Sequence, residues 1–148
     1  MPRGITLPHL QQPEIVMKYA PIVGRVLFSV MFIMFGMNHM TAGDTMNGMV
    51  PSFLPFPGLI VLATGVLLIV GGIAVLVGYK TKLAALALAV FLLATTFLTW
   101  APQLASAGDN VVPMTMFLKD MSLAGAALLV SYFGAGPMSL DAKAEAKA

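Results

Sequence analysis

The sequence predicts an all-α integral membrane protein that folds as a four-helix bundle. Hydrophobic residues make up 59% of the 148 residues and charged residues only 9%, well below the roughly 25% typical of a soluble domain. The apolar residues are concentrated in four stretches, each close to the ~20 residues that a helix needs to cross the hydrocarbon core of a bilayer. We therefore expect the lipid bilayer to surround most of this chain.

The four predicted spans lie within residues 19–135, between two polar tails. The first 18 residues lack the apolar core of a signal peptide, so we expect no cleaved leader. The predicted bounds are 1–18 for the N-terminal tail, 19–40, 58–78, 83–101 and 113–135 for the spans, and 136–148 for the charged C-terminal tail.

The distribution of basic residues predicts the orientation in the membrane. The two long linkers, between the first and second spans and between the third and fourth, contain no Lys or Arg. Most basic residues lie in the tails and in the turn between the second and third spans: Arg3, Lys18, Lys80, Lys82, Lys143 and Lys147. Because cytoplasmic segments are enriched in Lys and Arg, we expect both termini in the cytoplasm.

Each predicted span contains small or polar residues at the spacing of one helix face, since a helix advances about 100° per residue. These stripes are Arg25, Ser29, Phe32, Gly36 and His39; Gly58, Gly65, Gly72 and Tyr79; Ala85, Ala89, Leu92, Thr96 and Thr99; and Asp120, Ala124, Ala127 and Ser131. Small residues let helices approach closely, so we expect the stripes to face inward. Arg25, Gly36, Gly65 and Gly72 are the expected structural residues within the membrane.

Polar residues in the outer halves of the spans form the candidate site. They are His39, Thr96, Thr99, Lys119 and Asp120. Adjacent residues on a helix diverge by about 100°, so we expect Lys119 and Asp120 not to pair with each other. Intramembrane charges are costly and mark functional sites. One interpretation is recognition of a small polar head group such as a quinone, and the alternative is a hydrogen-bond network that fixes helix register.

The stretch "MFIMFGMNHM" (31–40) places a methionine at every third position. The accumulated rotation turns its first and last sulfurs to opposite sides of a straight helix, so this segment alone predicts no metal site. Copper handling remains an alternative only if methionines from elsewhere join His39. The methionines considered are Met40, Met46, Met49, Met114 and Met116.

The first long linker contains the apolar, proline-rich stretch "MVPSFLPFPG" (49–58). Such a segment is expected to lie at the membrane interface or to fold over the mouth of the bundle as a lid. The chain has no cysteine, which excludes thiol redox chemistry and thiolate metal sites. No basic patch indicates nucleic-acid binding.

Five stretches, in this order, resemble the DoxX family of small four-helix membrane proteins. They are "GRVLFSVMFIMFGMNH" (24–39), "GGIAVLVGYKTKLAALAL" (71–88), "FLLATTF" (91–97), "FLKDMSLAGAALLV" (117–130) and "FGAGPMSLD" (133–141). The resemblance implies a multi-pass protein of the inner (cytoplasmic) membrane. Some members are linked to quinone-dependent sulfur oxidation or oxidative-stress complexes, which implies a subunit or accessory of a quinone-linked redox complex with quinone as its ligand.

The sequence differs from other members of the family at two places. No motif in it identifies a chemical reaction. Many relatives have an acidic residue in the second span, where this chain has none, and one branch has a His-Asn pair where this chain reads "TFLTW" (96–100). The alternatives are a purely structural subunit that docks onto other membrane subunits, with Gly71 and Gly78 on a separate docking face, and copper handling at the outer face.

Overall fold

The computed structural model describes residues 12–147, and over that range the chain is helical without strands. Residues 1–11 of the predicted N-terminal tail lie outside the described residues. The elements are α1 (Gln12–Thr41), α2 (Gly43–Asn47), α3 (Pro57–Val77), α4 (Thr81–Thr95), a π-helical turn (Thr96–Trp100), α5 (Ala101–Leu104), α6 (Val112–Phe133) and α7 (Leu140–Glu145).

Four stretches are long and apolar enough to cross a membrane, which confirms the predicted fold class. They are Tyr19–Thr41, Pro57–Val77, Thr81–Leu104 and Val112–Phe133. The third stretch extends past its predicted end because the π-helical turn and α5 continue α4. Helix α1 begins at Gln12, so part of the predicted polar tail is already helical.

Successive long helices run antiparallel, and three pairs of them pack together. Helix α1 lies along α3, α4 lies along α6, and α3 and α4 meet between these two pairs. Helices α1 and α6, over their full described lengths, do not pack against each other as closely as these neighbours. We call the end with the α3–α4 turn and α7 the terminal end, and the end with the two long linkers the linker end.

The stripes predicted to face inward do so. Their buried members are Arg25, Ser29, Phe32, Gly36, Gly65, Gly72, Ala85, Ala89, Leu92, Thr96, Asp120, Ala124 and Ala127. Only the two outermost members of the second stripe, Gly58 and Tyr79, are exposed. Phe32, Leu68 and Leu88 are the largest side chains of the central core. Helical periodicity thus identified the faces that the bundle buries.

Helices α1 and α3 approach so closely that glycine is required at their contact. A Cβ atom added at Gly36 would lie 2.6 Å from the Ile69 side chain and 2.8 Å from the Gly65 carbonyl oxygen. A Cβ atom at Gly72 would lie 3.2 Å from the Ser29 carbonyl oxygen. The two distances at Gly36 are shorter than real Cβ contacts reach, and the distance at Gly72 is tighter than most of them. The missing Cβ atoms therefore set the separation of the two helices.

The glycines proposed for a docking face are also internal. A Cβ atom at Gly71 would lie 3.0 Å from Leu88 on α4. Gly78 has a positive φ of 72°, which ends α3 in the left-handed conformation, and Arg25 and Ser139 crowd its remaining space. The second glycine face therefore packs within the chain, and the interpretation of it as a docking surface is wrong.

The C-terminal tail folds back and covers the start of α4. Asp141 on α7 accepts hydrogen bonds from the backbone N–H groups of Lys80 (2.7 Å) and Thr81 (2.9 Å). Its own N–H donates to the Gly78 carbonyl oxygen (2.8 Å). Part of the charged tail predicted at 136–148 is thus helical, and Ser139 caps α7 by accepting a hydrogen bond from the Ala142 N–H.

Arg25 at the terminal end is buried beneath this returning segment. Its Nη2 atom donates a hydrogen bond to the Met138 carbonyl oxygen (3.1 Å), and only 7% of the residue is exposed. Arginine this close to the end of a span commonly extends to the membrane surface. Here the guanidinium instead ties α1 to the C-terminal segment.

The pKa of Asp141 lies below its ordinary value of 3.8. Partial burial acts to raise the pKa, but the hydrogen bonds from Thr81 and Lys80, together with the positive charge of Arg25, outweigh that effect. A group with a depressed pKa stabilises the fold while it is charged, and this contribution disappears as the pH falls through the folded-state pKa. The seal at the terminal end is therefore acid-sensitive.

We expect Gly36→Ala to lower the free energy of unfolding by about 1–3 kcal/mol, the usual cost of overpacking, because the new methyl group forces α1 away from α3. Loss of helical circular dichroism on titration with denaturing detergent measures the change. Gly125→Ala is the matched control, because a Cβ atom there has nothing within 4 Å. Equal stability of the two variants would show that the glycine contact does not set the packing.

We expect Asp141→Ala to destabilise the protein by about 1 kcal/mol at neutral pH, the typical value of a helix cap. The difference from wild type should shrink below about pH 4, where the wild-type carboxylate becomes protonated. Thermal unfolding across a pH series measures it. Glu145→Ala on the same helix is the control, and a wild-type difference that stays constant down to pH 2 would contradict the role of the charge.

Candidate functional site

A cavity of about 350 Å³ lies in the half of the bundle near the linker end. All four long helices contribute to its wall, and the residues that line it are mostly apolar. Its polar lining consists of His39, Thr64, Thr95, Thr99, Trp100, Lys119 and Asp120. Four of the five predicted site residues therefore share one cavity.

The apolar linker forms part of the cavity wall, as the lid interpretation predicts. Met46 on α2 and the following Met49, Val50, Pro51 and Leu54 all line the cavity. Two backbone turns hold the segment in place, with the Val50 N–H donating to Asn47 and the Leu54 N–H donating to Pro51. The cavity is thus covered by the chain at the linker end.

Lys119 and Asp120 form an ion pair, contrary to the prediction that they diverge. The Lys119 Nζ atom lies 3.2 Å from Asp120 Oδ1, and only 5% of the Asp120 side chain is exposed. Their Cβ atoms do point apart, but the four methylene groups of lysine allow the ammonium to bend back. In an apolar surrounding, the attraction between opposite charges is stronger than in water, which favours this bent conformation.

The Lys119 ammonium also connects α6 to α1. Its Nζ atom lies 4.5 Å from the centre of the Phe35 ring, within the range of a cation–π interaction. The indole of Trp100 lines the same cavity as the charged pair. The pair therefore bridges two helices through Phe35 and shares its cavity with a second aromatic side chain.

His39 directs one ring nitrogen to its own helix and leaves the other available. Its Nδ1 atom lies 2.8 Å from the Phe35 carbonyl oxygen, and a carbonyl oxygen only accepts, so Nδ1 is the protonated nitrogen. In the neutral ring, Nε2 is then a hydrogen-bond acceptor. The ring edge packs against Phe91, with a centroid distance of 6.5 Å. His39 therefore contributes an oriented acceptor to the cavity lining.

Thr99 and Trp100 lie in the π-helical turn, and both side chains line the cavity. Such a turn contains one extra residue per turn and occurs often at functional sites. Pro102, two residues after the turn ends, has no N–H to continue a regular helical hydrogen-bond ladder. Thr96 does not line the cavity, and its buried hydroxyl donates to the Leu92 carbonyl oxygen at 2.7 Å. Thr96 is therefore a packing residue, and sequence spacing could not show this.

Phe35 and Trp100, with Thr64 and Thr95, are site residues that sequence reasoning missed. Trp100 gave only the general signal of a tryptophan, a preference for the membrane interface. A single tryptophan that follows a pair of threonines and precedes "AP" is a weak signal for a local helix distortion. Phe35 lies outside the inward stripe, one residue before Gly36, and gave no signal.

Some of the methionines considered as copper ligands line the cavity, and others do not. Three of those considered as copper ligands, Met46, Met49 and Met116, line the cavity with His39, and Met31 joins them. Met40 and Met114 do not. Among residues 12–147, no group of three or more His, Cys, Asp or Glu residues is arranged to hold a metal ion. A metal here would depend on the thioether groups.

Comparisons with known proteins identify the family. The family profile named DoxX matches residues 20–101. The inner membrane protein YqjF of Escherichia coli (strain K12) is 35% identical over 125 residues, covering 81% of this chain and 88% of that protein. The inner membrane protein YphA of the same organism is 30% identical over 125 residues, covering 81% and 86%. No solved structure matches the chain.

The family match, the two inner-membrane relatives and the four apolar helices agree with one another. The match includes the first three long helices, with the Gly36–Gly65 contact and the π-helical turn inside it. Both relatives extend the similarity over most of the chain. This chain is a multi-pass inner-membrane protein and belongs to the DoxX family.

Proposed function

We propose that this protein binds the ring of a lipophilic quinone in the cavity at the linker end, as a subunit or accessory of a quinone-linked membrane redox complex. The observation that supports the proposal is the combination of an apolar cavity with the Lys119–Asp120 pair and an oriented His39 acceptor. Electron transfer itself is assigned to a partner subunit.

The polar groups of the cavity match both redox states of a quinone. The two carbonyl oxygens of the oxidised ring need donors, which the Lys119 ammonium provides at the cavity wall. The hydroxyl groups of the reduced ring need acceptors, which the His39 Nε2 atom and the Asp120 carboxylate provide. A cavity with both kinds of group can retain the ligand through a redox cycle.

The size and lining of the cavity also suit such a ring. Ligand cavities usually occupy about 300–1,000 Å³ and are mostly apolar with a few placed polar groups. The volume of about 350 Å³ lies at the small end of this range. Phe91 and Trp100 supply flat surfaces on which a planar ring can stack.

The orientation predicted from the basic residues completes the proposal. With both termini in the cytoplasm, the linker end and its cavity lie in the outer half of the membrane. Lys80 and Lys82 then lie in the cytoplasmic turn, as expected from the enrichment of basic residues on that side.

Copper binding is the second candidate function. Four methionines and the free His39 nitrogen line the same cavity, and thioether and imidazole groups favour Cu(I). The Lys119 ammonium beside them opposes a cation. Titration with Cu(I) in the presence and absence of a quinone distinguishes the two ligands, because they would compete for one space.

We expect the double variant Lys119→Met, Asp120→Asn to bind decylubiquinone about tenfold or more weakly, the usual loss for one charged hydrogen bond. Changing both residues avoids an unpaired buried charge. Quenching of Trp100, the single tryptophan of the chain, measures binding to the purified protein. Ser122→Ala is the control, since that exposed α6 hydroxyl bonds only its own helix. Wild-type affinity in the double variant would reject the site.

We expect His39→Leu to weaken binding of the reduced probe more than binding of the oxidised probe, because only the quinol can donate to Nε2. The loss for one neutral hydrogen bond should be roughly fivefold. Displacement of bound decylubiquinone by its quinol under anaerobic conditions measures the ratio. A parallel loss for both redox states would show that His39 packs against the ring without recognising its oxidation state.

A further inference from the structure

We infer that a tailed ligand reaches the cavity sideways from the hydrocarbon, between α1 and α6, past the contact of Lys119 with Phe35. This inference rests on the proposed function, because it concerns the path and the resting position of the tail of a bound quinone. It assigns to Phe35 and Lys119 the role of a lateral gate.

The volume of the cavity requires an exit for the tail. A space of about 350 Å³ accommodates a substituted ring, but it cannot also enclose a long isoprenoid or alkyl chain. The tail of a bound ligand must therefore pass through the wall of the bundle and continue in the bilayer. The position of that opening decides the route by which the ligand arrives.

The other three pairs of neighbouring helices pack more closely than α1 and α6 do. Beside the cavity, α1 and α3 are in backbone contact at Gly36 and Gly65, and below its floor Leu88 of α4 packs against Gly71 of α3. Helices α4 and α6 lie along each other, and the linker residues that line the cavity cover the linker end. The buried core around Phe32 and Leu68 forms the floor.

The remaining side lies between α1 and α6, which do not pack closely over their described lengths. In the half near the terminal end, Phe28 of α1 and Leu123 of α6 pack against the same core. Nearer the linker end, the Lys119 ammonium over the Phe35 ring, at 4.5 Å, bridges the two helices. Both residues are partly exposed, Phe35 to 39% and the Lys119 side chain to 31%.

The Lys119–Asp120 ion pair allows α1 and α6 to separate at this point with little loss of free energy. When the Phe35 ring turns aside, the Lys119 ammonium keeps its partner, because Asp120 lies 3.2 Å away on the same helix. Opening thus loses a single cation–π contact and leaves no isolated charge in hydrocarbon. A gate of this kind admits an apolar tail while the ion pair remains intact.

The rate of ligand exchange tests the gate. We expect Phe35→Ala to raise both the association and the dissociation rate of decylubiquinone about threefold, the equivalent of one exposed cation–π contact. Stopped-flow quenching of Trp100 in lipid nanodiscs measures both rates. Phe35→Leu is a second variant that keeps more of the side-chain volume and should give a smaller change in the same direction.

Phe97→Ala is the matched control. Phe97 is another exposed phenylalanine in the same half of the bundle, contacts Phe117, and does not line the cavity. We expect this variant to exchange decylubiquinone at the wild-type rates. If Phe35→Ala and Phe35→Leu also exchange at those rates, the ligand does not pass between α1 and α6, and the inference is overturned.

A second measurement separates this inference from the proposed function. If decylubiquinone does not quench Trp100 in the wild-type protein, the proposed function fails, and the opening is tested with lipid alone. In vesicles of phosphatidylcholine brominated along its acyl chains, we expect stronger quenching of Trp100 in Phe35→Ala than in Phe97→Ala. Equal quenching would show that acyl chains gain no access past Phe35.

Discussion

The structure depends on one constraint, namely that hydrocarbon offers no hydrogen-bond partner to a polar side chain. Each buried polar group at the cavity is matched to another group of the chain. Lys119 pairs with Asp120, and the Nδ1 atom of His39 bonds its own helix. The Thr95 hydroxyl donates to the Phe91 carbonyl oxygen one turn earlier. The few hydrophilic residues therefore determine which face of each helix must point inward, and the bundle follows from that choice.

Much of the fold could be predicted because the membrane makes the sequence pattern simple. Small and polar residues at four-and-three spacing marked the buried faces of all four helices, and burial of Gly36, Gly65, Ala124 and Asp120 confirms them. The same pattern could not predict the Lys119–Asp120 pair, since a rotation of about 100° describes Cβ atoms and not the end of a flexible side chain. Helical spacing gives faces, but it does not give the positions of charged groups.

The candidate site was predicted in part, for a related physical reason. His39, Thr99, Lys119 and Asp120 share the cavity and Thr96 does not, and the helix changes its pitch from Thr96 onward. One extra residue in a helical turn changes the direction in which every later side chain of that helix points. Trp100 and the linker residues joined the site through that change and through the return of the linker over the bundle. Neither arises from a repeating pattern, so neither was visible in the spacing.

The returning C-terminal segment has a consequence for the order of assembly. Asp141 caps the start of α4, although it lies 60 residues further along the chain than Thr81. During synthesis, N-terminal parts of a chain emerge and fold first, so all four helices can enter the membrane before the seal at their terminal end exists. A nascent or truncated protein that lacks its last few residues would thus be inserted but unfinished. The membrane machinery that surveys new proteins would find the N–H groups of Lys80 and Thr81 still open to water.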